Sequence, residues 1–201
     1  MKFKIENEIF EKYPELKIGI IVVKDIDNTG QDDEILKKVQ DEIEKIRQNH
    51  SKPTLSENPK IAAWRKAYSS FGAKPKKYKC SVENLYRMIL DDIDLKHYSK
   101  LVDIYNYISL KYMIPVGGDD IDHVDGNITL KFAEGNEKFI QLNSLEESNP
   151  KEGEVVYCDD NEVLCRRWNW RECDKSKMTE NTKNATLVVE ALEPVSIDEL
   201  N

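Results

Sequence analysis

Three observations predict an α+β protein: a β-branched run near the N-terminus, apolar residues at helical spacing through the first half, and a series of strand-length segments after Pro115. Residues Ile18 to Lys24, IGIIVVK, read as a short buried strand, and Asp25 to Gly30 supplies its turn. From Asp32, Ile35, Leu36, Val39, Ile43 and Ile46 recur at helical spacing, with acids crowding the first turn where the helix dipole favours them. The polar segment His50 to Pro59 is a loop. A second helix follows, with Ile61, Trp64, Tyr68 and Phe71 on one face until Gly72 stops it.

The basic stretch FGAKPKKYKCS comes next, and Ser81 is placed to cap a third helix carrying Val82, Leu85, Met88 and Ile89. A fourth helix spans Ser99 to Lys111, with Asn106 among its apolar residues. A buried asparagine must be hydrogen-bonded, so Asn106 either cross-links the fold or faces a pocket. Pro115, Gly117 and Gly118 then break the helical pattern. Strands are expected over Ile128 to Ala133, Glu137 to Leu142, Glu154 to Cys158, Val163 to Trp170 and Thr186 to Leu192. The acidic end after Pro194 reads as loose.

At 201 residues the chain suits one domain, 1–201, in which the first 50 residues contribute a strand and a helix. With 39% hydrophobic and 34% charged residues it reads as a water-soluble globular protein, neither disordered nor membrane-spanning. The N-terminus lacks the apolar core of a signal peptide, so a cytoplasmic location is expected. Cys80, Cys158, Cys165 and Cys173 show no metal-knuckle spacing and are read as reduced thiols; no metal or cofactor is expected. His50, His97 and His123 read as surface residues. Phosphate-loop, nucleophile-elbow and HExxH motifs are absent, which disfavours an ATP-driven ligase or a zinc hydrolase.

A net charge of −8 argues against a tight, sequence-independent nucleic-acid binder. Two local basic patches remain, Lys74, Lys76, Lys77 and Lys79 in one, and Arg166, Arg167, Arg171, Lys175 and Lys177 in the other. The second lies in Val163 to Thr182, VLCRRWNWRECDKSKMTENT, the leading site candidate. Its arginines suit carboxylate or phosphate, Trp168 and Trp170 suit stacking or core closure, and Thr179 and Thr182 stand three residues apart. The alternative is a two-faced strand with tryptophans inside and arginines paired to acids.

The motifs VDIYNY, PVGGDD and RRWNWRE, in that order and spacing, resemble the tRNA-editing region of the phenylalanyl-tRNA synthetase beta subunit, and more closely its freestanding B-three/B-four domain relatives. The resemblance covers roughly residues 61–192. It implies a three-layer β/β/α fold and a pocket that hydrolyses the ester of mischarged tRNA. The family's pocket asparagine falls on Asn106 and its glutamate on Glu172, the two implied catalytic residues; its histidine is replaced by Gly117, beside Gly118. The pocket should therefore be smaller or differently shaped. The expected function is a trans-acting aminoacyl-tRNA editing protein, the alternative a non-catalytic module that binds an amino acid, tRNA or a synthetase. Arg166, Arg167, Arg171, Trp168, Trp170, Thr179, Thr182, Gly117 and Gly118 are the expected binding residues. The tRNA 3′ end or aminoacyl-tRNA is the expected partner, with a free amino acid or a synthetase as further possibilities, and neither DNA nor a membrane.

Overall fold

The computed structural model describes residues 1–200. Strand β1 (Phe3–Ile5) and helix α1 (Asn7–Lys12) precede β2 (Lys17–Val23). Helices α2 (Asp33–Asn49), α3 (Lys52–Leu55), α4 (Pro59–Ser70), α5 (Ser81–Leu90) and α6 (Lys100–Tyr112) follow. Strands β3 (Val116–Asp120), β4 (Ile128–Phe132), β5 (Val155–Cys158), β6 (Val163–Arg166), β7 (Arg171–Glu172) and β8 (Ala185–Ala191) complete the sheets before a last turn of helix, α7 (Ile197–Leu200). One sheet has the order β1-β4-β5-β6-β7 and the other β2-β8-β3. All pairings are antiparallel except β1 with β4.

The alternation of β8 decides the layering. Ala185 and Leu187 pack with Leu101 of α6 on one face, while Val188 and Glu190 turn to a cavity shared with the five-stranded sheet. The layers are thus sheet, sheet and helices, the expected β/β/α arrangement. Helix α2 begins at Asp32, whose carboxylate accepts from the N–H groups of Glu34 and Ile35 at 3.0 and 3.1 Å, and it buries Val39, Ile43 and Ile46. Helix α5 is tied to α6 by the Tyr86 hydroxyl, which donates to the Leu110 carbonyl at 2.7 Å. Helix α4 borders the space between the sheets: Trp64 meets Trp168 edge-on at 5.1 Å, and the Tyr68 hydroxyl donates to Asn169 at 2.9 Å.

Several expectations change. The run Ile18 to Lys24 does form a strand, β2, but at a sheet edge, with Ile20, Ile21 and Val22 exposed. Glu137 to Leu142 forms no strand beyond isolated bridges at Ile140 and Gln141. Its first residue folds back instead, Glu137 accepting from the N–H groups of Glu134 and Gly135. Val163 to Trp170 is not one strand, because Arg167 and Trp168 adopt left-handed φ values of 50° and 66° and turn the chain into β7. The glycine-rich segment expected only to break a helix is itself strand β3. Cys80 rather than Ser81 occupies the N-cap of α5. The tail is anchored, Leu200 lying against Gly19 and Glu199 pairing with Lys60.

Candidate functional site

Between the sheets lies a cavity of about 40 Å³. Gly117, Gly118 and Asp119 of β3 and Val188 and Glu190 of β8 wall it on one side, Tyr157, Cys165, Trp168, Asn169 and Glu172 on the other, and Ser81 at the first turn of α5 closes it. Glu172 is cross-strand partner to Cys165 in the β6–β7 pair, which turns both side chains to the same face.

Three carboxylates, those of Asp119, Glu172 and Glu190, therefore line one cavity with no lysine or arginine in its lining. Burial pushes the Glu172 carboxyl well above the ordinary range; the charges of Asp119 and Glu190 push the same way, and a Cys165 hydrogen bond opposes them. Burial likewise raises Asp119 to about 6, against the hydrogen bond it accepts from Ser176 Oγ. Glu190, 3% exposed, is raised to about 7 by burial although Tyr157 Oη and Asn169 Nδ2 donate to it at 2.6 and 2.7 Å. The Trp168 indole N–H, which leans toward Glu190 without reaching hydrogen-bond geometry, is unpartnered, as is Ser81 Oγ. Burying such groups without protein partners is costly, so both remain available to donate to a molecule in the cavity.

The cavity contains Glu172, Gly117, Gly118 and Trp168 of the residues expected from sequence. The two glycines have different tasks. A β-carbon at Gly118 would lie 2.1 Å from the Thr186 carbonyl oxygen, so β3 can approach β8 there only without a side chain. At Gly117 it would lie 3.1 Å from Glu172 Oε1, so glycine keeps the space before that carboxylate open.

The remaining candidates lie elsewhere. Asn106 is part-buried on α6, lines no part of this cavity, and its side chain makes no hydrogen bond among the described residues; solvent access removes the need for an internal partner. Arg166 is buried in a two-pronged pair with Glu154, Nε to Oε2 at 2.8 Å and Nη2 to Oε1 at 3.1 Å, and also donates to Ser148. Arg167 pairs with the same Glu154 at 3.2 Å and stacks over Tyr78 at 3.8 Å and Trp170 at 4.6 Å. Arg171 is exposed on the Trp170 ring at 5.4 Å. Trp168 is fully buried among Tyr13, Trp64 and Phe71. Thr182 donates to Asp120 at 2.7 Å and accepts from the Thr179 N–H at 3.0 Å, while the Thr179 carbonyl accepts from Asn28. This threonine pair fastens a turn to the end of β3 and does not border the cavity.

Sequence reasoning missed Asp119, Glu190, Tyr157, Asn169 and Ser81. A signal for Glu190 existed: it is the lone charge in the apolar strand ATLVVEA. Asp119 had none, since acids in turns after glycine are ordinary.

Fold and cavity define a two-sheet α+β domain with a carboxylate-lined chamber at its centre. The chain belongs to the B3/4 domain family, whose model matches residues 63–200. It is 33% identical over 66 residues to the phenylalanine–tRNA ligase beta subunit of Fusobacterium nucleatum subsp. nucleatum. That match covers 33% of this chain and 8% of the subunit, so the chain corresponds to a small part of such a protein. Among solved structures, an N-terminal fragment of the phenylalanyl-tRNA synthetase beta-subunit from Pyrococcus horikoshii is similar, with a TM-score of 0.46 at 14% identity over 96% of this chain and 44% of the fragment. Among the described residues no helix is long and apolar enough to cross a membrane, and no group of three or more His, Cys, Asp or Glu residues could hold a metal ion.

Proposed function

We propose that this chain hydrolyses the ester of mischarged aminoacyl-tRNA in trans, with the carboxylate-lined cavity as its amino-acid site. One observation carries the reading: Asp119, Glu172 and Glu190 line the same cavity, and no lysine or arginine lines it with them. Such a group is complementary to an ammonium ion, because an incoming positive charge offsets the penalty of ionising buried carboxylates. Membership of the B3/4 family and the likeness to a phenylalanine–tRNA ligase beta subunit support the ammonium of an aminoacyl group over that of another amine.

In this scheme Glu172 holds the α-ammonium. Asp119, raised to about 6, is deprotonated at neutral pH and takes a proton from the attacking water. Water oxygen bonds to the ester carbon, the carbon–oxygen bond to the ribose breaks, and the proton passes from Asp119 to the departing hydroxyl. The Trp168 N–H, the Ser81 hydroxyl and the N-terminal end of α5 supply donors for the developing oxyanion. The cysteines are poor nucleophiles here, since burial holds Cys165 well above and Cys173 at about 11. The proposed setting is the cytoplasm, where tRNA is charged and used.

The second reading is a binding module without catalysis, favoured by the small cavity and by glycine at the position of the family's histidine. A panel of aminoacyl-tRNAs separates the two. The hydrolytic reading expects at least one to be deacylated faster than in buffer, with a loss of about 100-fold or more in Asp119→Asn and weakened substrate binding in Glu172→Gln. If no member of the panel is deacylated above the buffer rate, the chain is a binding module.

A further inference from the structure

The arginines expected to meet phosphate are mostly spent on internal pairs, yet a different basic surface stands free. Two adjoining hollows, of about 650 and 370 Å³, share Gly72, Ala73 and Lys74. Arg65, Lys66 and Lys76 line the larger, and Lys77, Lys151 and Arg167 the smaller. Resting on the aminoacyl-tRNA reading for the identity of the partner, we propose that this double hollow holds the phosphodiester backbone of single-stranded RNA whose 3′ end enters the carboxylate cavity.

The charge pattern is the first argument. In a chain with 38 acids against 30 lysines and arginines, attraction should draw carboxylates onto exposed cations. Among the described residues, however, Lys66, Lys74, Lys76, Lys77 and Lys151 form no ion pair. The nearby acids are engaged elsewhere: Glu83 accepts from Arg65 and Arg87, both at 2.8 Å, and Glu154 is held by Arg166 and Arg167. Glu152 alone adds an exposed negative charge to the wall.

Position and shape are the second. The lysine-rich loop runs from Gly72 through Lys79 and Cys80 directly into Ser81, which lines the carboxylate cavity. Phosphate-seeking and ammonium-seeking surfaces therefore adjoin along the chain while remaining separate in charge. Beside the smaller hollow, Tyr78 and Trp170 meet edge-on at 5.0 Å, both part-exposed, with the Arg167 guanidinium over each ring. Part-exposed aromatic rings next to unpaired lysines are the combination that binds single strands through stacking and backbone charge together.

Fluorescence anisotropy with a labelled, uncharged single-stranded RNA tests this. Affinity should fall with salt, and Lys74→Glu/Lys76→Glu should weaken binding at least tenfold and flatten the logarithmic salt slope by about 1.4, two phosphate contacts at roughly 0.7 each. Lys37→Glu, an exposed site on α2, should change neither. Absence of RNA binding, an equal effect from Lys37→Glu, or equally tight binding of inorganic polyphosphate would overturn the assignment. Circular dichroism checks that each variant folds. Because the RNA carries no aminoacyl ester, a chain that binds it but deacylates nothing retains this surface and loses only the hydrolytic reading.

Discussion

Gly117 and Glu172 face each other across the gap between the sheets, so closely that a β-carbon on Gly117 would sit 3.1 Å from Glu172 Oε1. The first residue occupies β3 and the second β7, and the two strands belong to different sheets. Cavity size is thus set by the absence of a side chain on one strand opposite a carboxylate on the other.

Substituting the adjacent glycines should separate space from stability. Gly117→Ala meets only a side-chain oxygen and should stay within about 1 kcal/mol of the parent, while lowering deacylation. Gly118→Ala drives its methyl into the Thr186 backbone and should cost about 3 kcal/mol. Urea unfolding of both gives the comparison. Equal destabilisation would refute the distinction.

Stability should fall as pH rises from about 4 to 8. Asp119 and Glu190 have folded values raised to about 6 and 7, so the native state binds more protons than the unfolded chain in that window. Their contribution is complete below the ordinary carboxylate range and is lost above the raised values, on the order of 2–3 kcal/mol each. Glu137 acts oppositely. Burial opposes its ionisation, but the Glu134 N–H and Lys131 hold it down to about 2, so its contribution is lost on acidification. A maximum near pH 4 is expected in thermal unfolding, and Asp119→Asn or Glu190→Gln should flatten the alkaline side.

The two tryptophans should differ sharply. Trp168→Ala removes a fully buried ring and should cost about 3–5 kcal/mol, whereas Trp170→Ala, at a part-exposed stack, should cost about 1 kcal/mol. Chemical denaturation reads both. Similar losses would contradict the packing described.

Arg166→Ala should destabilise by about 3–5 kcal/mol, because it strips a buried pair and leaves Glu154 with only Arg167. The double change Arg166→Met/Glu154→Leu should recover part of the loss. Arg171→Ala, exposed and without an ion pair among the described residues, should be nearly neutral. Measured unfolding midpoints in the opposite order would return Arg166 to the list of free surface cations.

Legibility followed periodicity. Helices α2, α4, α5 and α6 were visible because each buries one stripe, and β4, β5 and β8 because strand-length apolar runs leave few alternatives. Strand β3 was hidden because VGGDD has the composition of a turn, and only the close approach of β8 makes its glycines strand residues. The hairpin after Arg166 was hidden for a related reason: two left-handed residues that are neither glycine nor asparagine leave no turn signature.

By itself, the sequence determined the α+β class, the order of most elements and the candidacy of Glu172 and Gly117, since these depend on local spacing and on motifs read in line. Tertiary structure alone decided which charges are free. Arg166 and Arg167 look like a phosphate site until Glu154, from another strand region, pairs with both and draws them inward. Asp119 and Glu190 look like ordinary acids until two sheets enclose them with Glu172. Burial and pairing join residues distant along the chain, and a charge takes its chemistry from what surrounds it in space.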